Sequence, residues 1–225
     1  LTFGKGLVHE LMWDNKPTKK GQYGRKDDNN VIHQEIYQIW IDLPQNKRYI
    51  DPRVELLGDE ENDTPTVVDM SGTRTHVIAG EYDGVSASVD TVSDLAIFRV
   101  EIEKPHGTWT HKPPSLHSTI IVYVRTGSVI VGDGDDAHRV PPHCTAYLST
   151  DGEYLSIRSE DRGADFLVMA GKPLDQEVFA KGSMVAETSE ELERAFRDYR
   201  KGEMGVPWSE SNSDEEWRRH LRESK

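Results

Sequence analysis

The sequence predicts an all-β sandwich or barrel followed by one C-terminal helix. Three observations carry this. Apolar and polar residues alternate with period two in many short runs. Gly, Pro, Asp and Ser punctuate those runs at spacings of about 8–12 residues, as in β-sandwiches and barrels. Only one segment has a convincing helical period, and it comes late, behind a capping box.

The elements follow in chain order. Residues 37–43, YQIWIDL, alternate with Tyr37, Ile39, Ile41 and Leu43 on the inward face. Residues 74–79 form the next strand. In 97–103, Phe98, Val100 and Ile102 face inward while Arg99, Glu101 and Glu103 face out. Runs 119–124 and 128–132, separated by Arg125, Thr126 and Gly127, predict a hairpin. Further strands are predicted at 146–149, 154–158 and 166–170. Thr188 and Glu191 are the two ends of the capping box. Leu192, Ala195, Phe196 and Tyr199 then recur at helical spacing, so Leu192, Phe196 and Tyr199 are expected to dock, and Gly202 or Gly205 ends the helix. Beyond Pro207 the chain is a polar tail, in which Ser213 and Glu216 can cap one more short helix. Residues 14–30 carry a basic patch read as a solvated loop, and 58–65 an acidic, turn-forming link.

Composition limits the function classes. The chain has 225 residues and a net charge of −13; the pI is about 5.1 and the mean hydropathy −0.68. Direct nucleic-acid binding needs a basic face to neutralise phosphates, so it is not expected. The one cysteine, Cys144, excludes an intrachain disulfide, fits a reducing compartment and is read as a small core residue. The longest apolar runs, 120–124 and 166–170, fall far short of the roughly 20 residues needed to span a bilayer, and no membrane association is expected. The chain starts at Leu1, not Met, which fits a processed or incomplete N-terminus.

Several segments in order resemble the pirin family of bicupin proteins. They are GKGLVHELM at 4–12, QIWIDLP at 38–44, DPRVELL at 51–57, HVIAGEYDGVSASV at 76–89 and FLVMAGKPLDQEVFAKGSMV at 166–185, followed by SEELERAFRDYRKGEMG. The resemblance implies cupin double-stranded β-helix barrels, the first incomplete. Residues 1–69 would be a remnant of the N-terminal cupin and its linker, 70–182 the C-terminal cupin, and 183–225 the helix and polar tail. The family holds iron in its first cupin through a Pro-His-Pro-His-type pair and a later His-x-Glu. On that alignment His9 is the one retained ligand position, Leu11 stands where the glutamate would be, and Glu10 is one place early. Neighbouring residues of a strand point to opposite faces, so His9 and Glu10 do not converge without a bulge. One imidazole does not hold iron. No cofactor is therefore expected in this chain, although iron is expected for full-length members.

The later histidines fare no better. His106, His111 and His117 are spaced by five and six residues, not as a His-x-His pair, and Thr126 stands before the turn glycine. His138 and His143 flank Pro141 and Pro142. No metal is expected in this barrel, and GDGDDA at 132–137 reads as a hairpin turn. The sequence has no nucleophile elbow or nucleotide-binding glycine loop, and no catalytic residue is assigned. The resemblance implies a cytoplasmic or nuclear protein that acts through protein–protein contacts, with transcription-factor-type partners. The alternative it implies is a metal-dependent quercetin 2,3-dioxygenase, if a longer chain restores the ligands.

Overall fold

The computed structural model describes residues 4–6, 25–26, 32–33, 35–55, 57, 64–149, 152–207, 213, 215–216 and 219. They fall into two compact units. One is built on 43–47 and 53–176, and the other draws on 3–42, 48–52 and 177–225.

A short antiparallel pair, β1 (Arg25–Lys26) and β2 (Ile32–His33), lies in the second unit. The first unit is all-β. It begins with β3 (Thr66–Val68), β4 (Arg74–Ala79) and a small hairpin of β5 (Glu81–Tyr82) with β6 (Val85–Ser86). The strands that enclose the core follow: β7 (Leu95–Ile102), β8 (Thr108–His111), β9 (Thr119–Thr126), β10 (Val129–Val131), β11 (His138–Val140), β12 (Thr145–Leu148), β13 (Leu155–Ser159) and β14 (Ala164–Gly171).

Their pairing is nested and antiparallel. β7 pairs with β14, β8 with β13, β9 with β12 and β10 with β11. First with last and innermost with innermost is the jelly-roll arrangement. Four further pairings, β9 with β14, β10 with β13, β7 with β4 and β4 with β3, complete a six-stranded sheet β12-β9-β14-β7-β4-β3 and a four-stranded sheet β11-β10-β13-β8.

Both sheets send alternate residues into one core. Val77, Phe98, Val100, Val122, Val124, Phe166 and Val168 come from the larger sheet; Trp109, Val129 and Ile157 come from the smaller. All are at most 2% exposed. Burial of each such side chain contributes about 1.5–3 kcal/mol relative to exposure. The indole N–H of Trp109 would cost free energy if buried alone; it donates to Thr75 Oγ1 at 2.9 Å.

The β9–β10 turn needs its glycine. Gly127 has φ 75°, and a Cβ there would lie 2.3 Å from the Gly163 carbonyl oxygen. Just before it, Asp165 pairs with Thr126 and Phe166 with Val124, so Arg125 is the extra residue of a β-bulge.

In the second unit, β15 (Phe179–Lys181) and β16 (Met184–Ala186) form a hairpin on which α1 (Ser189–Arg200) packs. The capping box forms. Thr188 Oγ1 accepts from the Glu191 N–H at 3.2 Å. The Glu191 carboxylate reaches back to the N–H of Glu187, one residue before the cap. The C-terminus closes as a Schellman motif: Gly202 at φ 78° donates to the Tyr199 carbonyl, and Glu203 donates to that of Asp198.

Three expectations need correction. Residues 37–43 are not a strand: no ladder includes them, and Ile39, Trp40 and Ile41 are 40%, 57% and 43% exposed. Period-two alternation specifies a strand only where another strand pairs with it, and none does so among the described residues. Cys144 is exposed, not in the core. It belongs to the turn before β12, where its N–H meets the Pro141 carbonyl and His143 adopts φ 61°. Tyr199 is exposed at 44%, so α1 docks through Leu192 with Ala195 and Phe196 half-buried.

This division of the helix face is measurable. Leu192→Ala should destabilise the protein by about 2–3 kcal/mol, and Tyr199→Ala by no more than about 0.5 kcal/mol, in urea unfolding followed by circular dichroism. The reverse order would place the tyrosine, not the leucine, in the interface.

Candidate functional site

His9, with Glu10 and Leu11, lies outside the described residues. What is described is the segment just before it. Gly4 lies against the backbone of Ile50, where a Cβ would fall 1.9 Å from the carbonyl oxygen. Lys5 N–H donates to that carbonyl, and Lys5 Nζ pairs with Asp51 at 2.5 Å.

The barrel histidines scatter. His106 is exposed, 3.9 Å from an Asp161 oxygen. His138 is exposed on β11, an edge strand of its sheet. His143 faces the Tyr123 hydroxyl at 3.5 Å. Among the described residues, no three His, Cys, Asp or Glu side chains come together as a metal-ligand set. The turn 132–137 does connect β10 to β11 as a hairpin.

The barrel interior is packed with rings. Trp109 lies 6.5 Å from Phe98 and 6.0 Å from Phe166 between centroids. Tyr82, from the small hairpin, stacks on Trp109 at 5.7 Å. His111, two residues beyond Trp109 and on the same face of β8, stacks on it at 5.7 Å and meets the Phe98 ring edge-on at 5.1 Å. Burial, with the nearby charge of His117, pushes the His111 pKa down to about 4, so its imidazole is neutral at physiological pH.

His117 lines a cleft. The turn before β9 places it there, its N–H on the Pro114 carbonyl at 2.9 Å. Its side chain is only 5% exposed, and Nε2 donates to Asp94 Oδ1 at 2.8 Å. Asp94, just ahead of β7, is held by the N–H of Lys172 on its carbonyl. Both residues line a cleft of about 490 Å³, together with Glu81, Ser86, Asp90 and Ser93. Asp94 carried no sequence signal: it lies 23 residues from His117, and only the jelly-roll pairing brings the two together.

The outer face of the larger sheet carries a charge network. Arg99 binds Asp165 at 2.8 Å and also Glu101. Arg125 reaches Asp165 from its bulge, and Arg74 and His76 each bind Glu101 at 3.2 Å. The Thr66 hydroxyl meets His76 Nδ1 at 2.8 Å. Burial alone would raise the Glu101 pKa. The His76 hydrogen bond, the charge of Arg99 and the Arg74 hydrogen bond more than offset it, holding the carboxyl below its ordinary value.

Residues 99–205 match the Pirin C-terminal cupin domain. The chain is 26% identical over 206 residues to pirin of Mus musculus, an alignment covering 91% of this chain and 64% of that protein. It is 26% identical over 206 residues to a pirin-like protein of Solanum lycopersicum, covering 91% and 63%. The chain thus spans less than two thirds of these relatives' length. A crystal structure of quercetin 2,3-dioxygenase from Acinetobacter baumannii superposes with a TM-score of 0.64 at 27% identity, covering 74% of this chain and 56% of that one. The fold is that of an all-β cupin barrel with a C-terminal helix. No helix among the described residues is long and apolar enough to cross a membrane.

The Glu101 network sets an acid response. A carboxylate whose folded pKa lies below its unfolded value of about 4.5 stabilises the fold above that pH. That contribution is lost as pH falls through the folded pKa. Glu101→Gln should therefore lower Tm near neutral pH, and the gap from wild type should close as the pH is taken below about 4.5. A gap independent of pH would remove the carboxylate's charge from the explanation.

Proposed function

Because this chain belongs to the pirin family, we propose that in this form it acts without catalysis, through contacts with other proteins of the transcription-factor type. The observation that carries the reading is the apolar run 36–41. Ile36, Ile39, Trp40 and Ile41 are all at least 40% exposed within six residues. Clustered apolar exposure of this kind marks contact surfaces, and Trp is enriched at their energetic centres. The site of action in the cell would be the cytoplasm or nucleus.

The residues present do not fit an iron centre. Leu11 offers no lone pair at the position the family gives to glutamate. Inside the C-terminal barrel, Trp109, Phe98 and Phe166 fill the space a ligand set would need.

The second reading is metal-dependent quercetin 2,3-dioxygenase chemistry in a longer chain that restores the ligands. The superposition on the Acinetobacter baumannii enzyme favours it. One preparation separates the two. The purified chain should hold no stoichiometric iron after dialysis against a chelator and should leave quercetin intact in air. Retained iron that is lost in His9→Ala, accompanied by quercetin cleavage, would establish the enzymatic reading instead.

We also propose residues 70–182 as a unit that folds alone, since they contain every strand of the nested pairing. Expressed by themselves they should give a β-type circular dichroism spectrum and a single cooperative melt. A gradual, coil-like transition would show that they need the rest of the chain.

A further inference from the structure

One hydroxyl on the outer face of the larger sheet is set up as a nucleophile. Thr66 Oγ1 lies 2.8 Å from His76 Nδ1, and His76 Nε2 lies 3.2 Å from Glu101 Oε2. The strand registers bring the three together. Thr66 on β3 stands directly opposite His76 on β4, and His76 is two residues from Arg74, which stands opposite Glu101 on β7.

The carboxylate fixes the direction of each proton. Despite partial burial Glu101 stays ionised, because His76, Arg99 and Arg74 hold it below its ordinary value, and an ionised carboxylate only accepts. Nε2 of the neutral ring therefore carries the hydrogen, and Nδ1 keeps its lone pair. Thr66 donates to that lone pair. The Thr64 carbonyl competes for the same hydrogen, but at 3.2 Å it is farther than the imidazole. Hydroxyl, base and base-orienting carboxylate within hydrogen-bond reach are the signature of an activated nucleophile.

Access completes the arrangement. β3 is an edge strand of the six-stranded sheet and Thr66 is exposed, so a reagent can reach its oxygen. The His76 side chain is only 24% exposed and is held at both nitrogens, which keeps the base in place.

We infer that Thr66 is a site of acyl modification, with His76 as its general base and Glu101 as the positioning residue behind the base. The donor is an activated acyl ester. Thr66 Oγ1 forms the new bond to the acyl carbon, and its proton passes to His76 Nδ1. The bond from that carbon to the leaving oxygen breaks, and the leaving oxygen departs with that proton. One ester replaces another with no change of oxidation state. The product is one acyl group on the chain and no turnover, so the inference neither rests on nor opposes the contact role proposed above.

The experiment treats the full chain with p-nitrophenyl acetate and follows acetyl groups residue by residue by peptide mass spectrometry. Thr108, exposed on β8, is the internal reference. Thr66 should acetylate roughly 100-fold faster than Thr108, the scale of general-base assistance. That lead should vanish in His76→Gln, persist in Thr66→Ser and shrink in Glu101→Gln. In Glu101→Gln, long-range ¹H–¹⁵N correlation should also show part of the His76 imidazole as the Nδ1–H tautomer, which a merely structural role would not produce. The wild-type chain decides alone if a variant fails to fold. Equal rates at Thr66 and Thr108, or a lead that survives His76→Gln, overturn the proposal. So does acetyl confined to lysines or Cys144.

Discussion

The pairing of β7 with β14 is the constraint on which the first unit depends. It joins the first and last strands of the nested set in one eight-residue register, from Ala164 opposite Ile102 to Gly171 opposite Leu95. Side chains alternate, so a slip of β14 by one residue would turn Phe166 and Val168 to the outside and bring Asp165 into the core. The inner face accepts only one answer. The outer face then has to live with what that answer places there.

What it places there is a conflict. The register sets Glu101 directly opposite Asp165, and like charges in that position repel. Arg99 lies between them and binds both. The bulge at Arg125 turns a second guanidinium toward Asp165, and Arg74 and His76 supply the other side of Glu101. The network therefore follows from the core. It removes a cost the hydrophobic register imposes, and each pair, being partly exposed, adds little beyond that.

Much of this was legible in the sequence. Residues 74–79 are a strand over the same bounds, and 97–103 and 166–170 fall within one or two residues of the observed strands, because buried alternating positions follow from sterics and hydrophobicity alone. Thr188 and Glu191 declared the helix start, since a cap is a local interaction. The misreadings share a cause. The alternation in 37–43 is as regular as in 97–103, yet it has no partner strand among the described residues. Cys144 is small and has apolar residues nearby in sequence, yet a left-handed His143 turns it outward. Asp94 was invisible because its meaning lies in a contact made only after the jelly roll closes.

The filled barrel changes where chemistry can happen. Trp109 packs between Phe98 and Phe166 in the interior, and its indole N–H is satisfied by Thr75. In the second unit, by contrast, Ile36, Ile39, Trp40 and Ile41 keep apolar area in water. Covering such area yields about 25 cal/mol per Å², but association must first overcome lost translational and rotational freedom. A partner must therefore bury more than these four side chains or bring polar contacts of its own. The proposed contact role rests on this exposed apolar area.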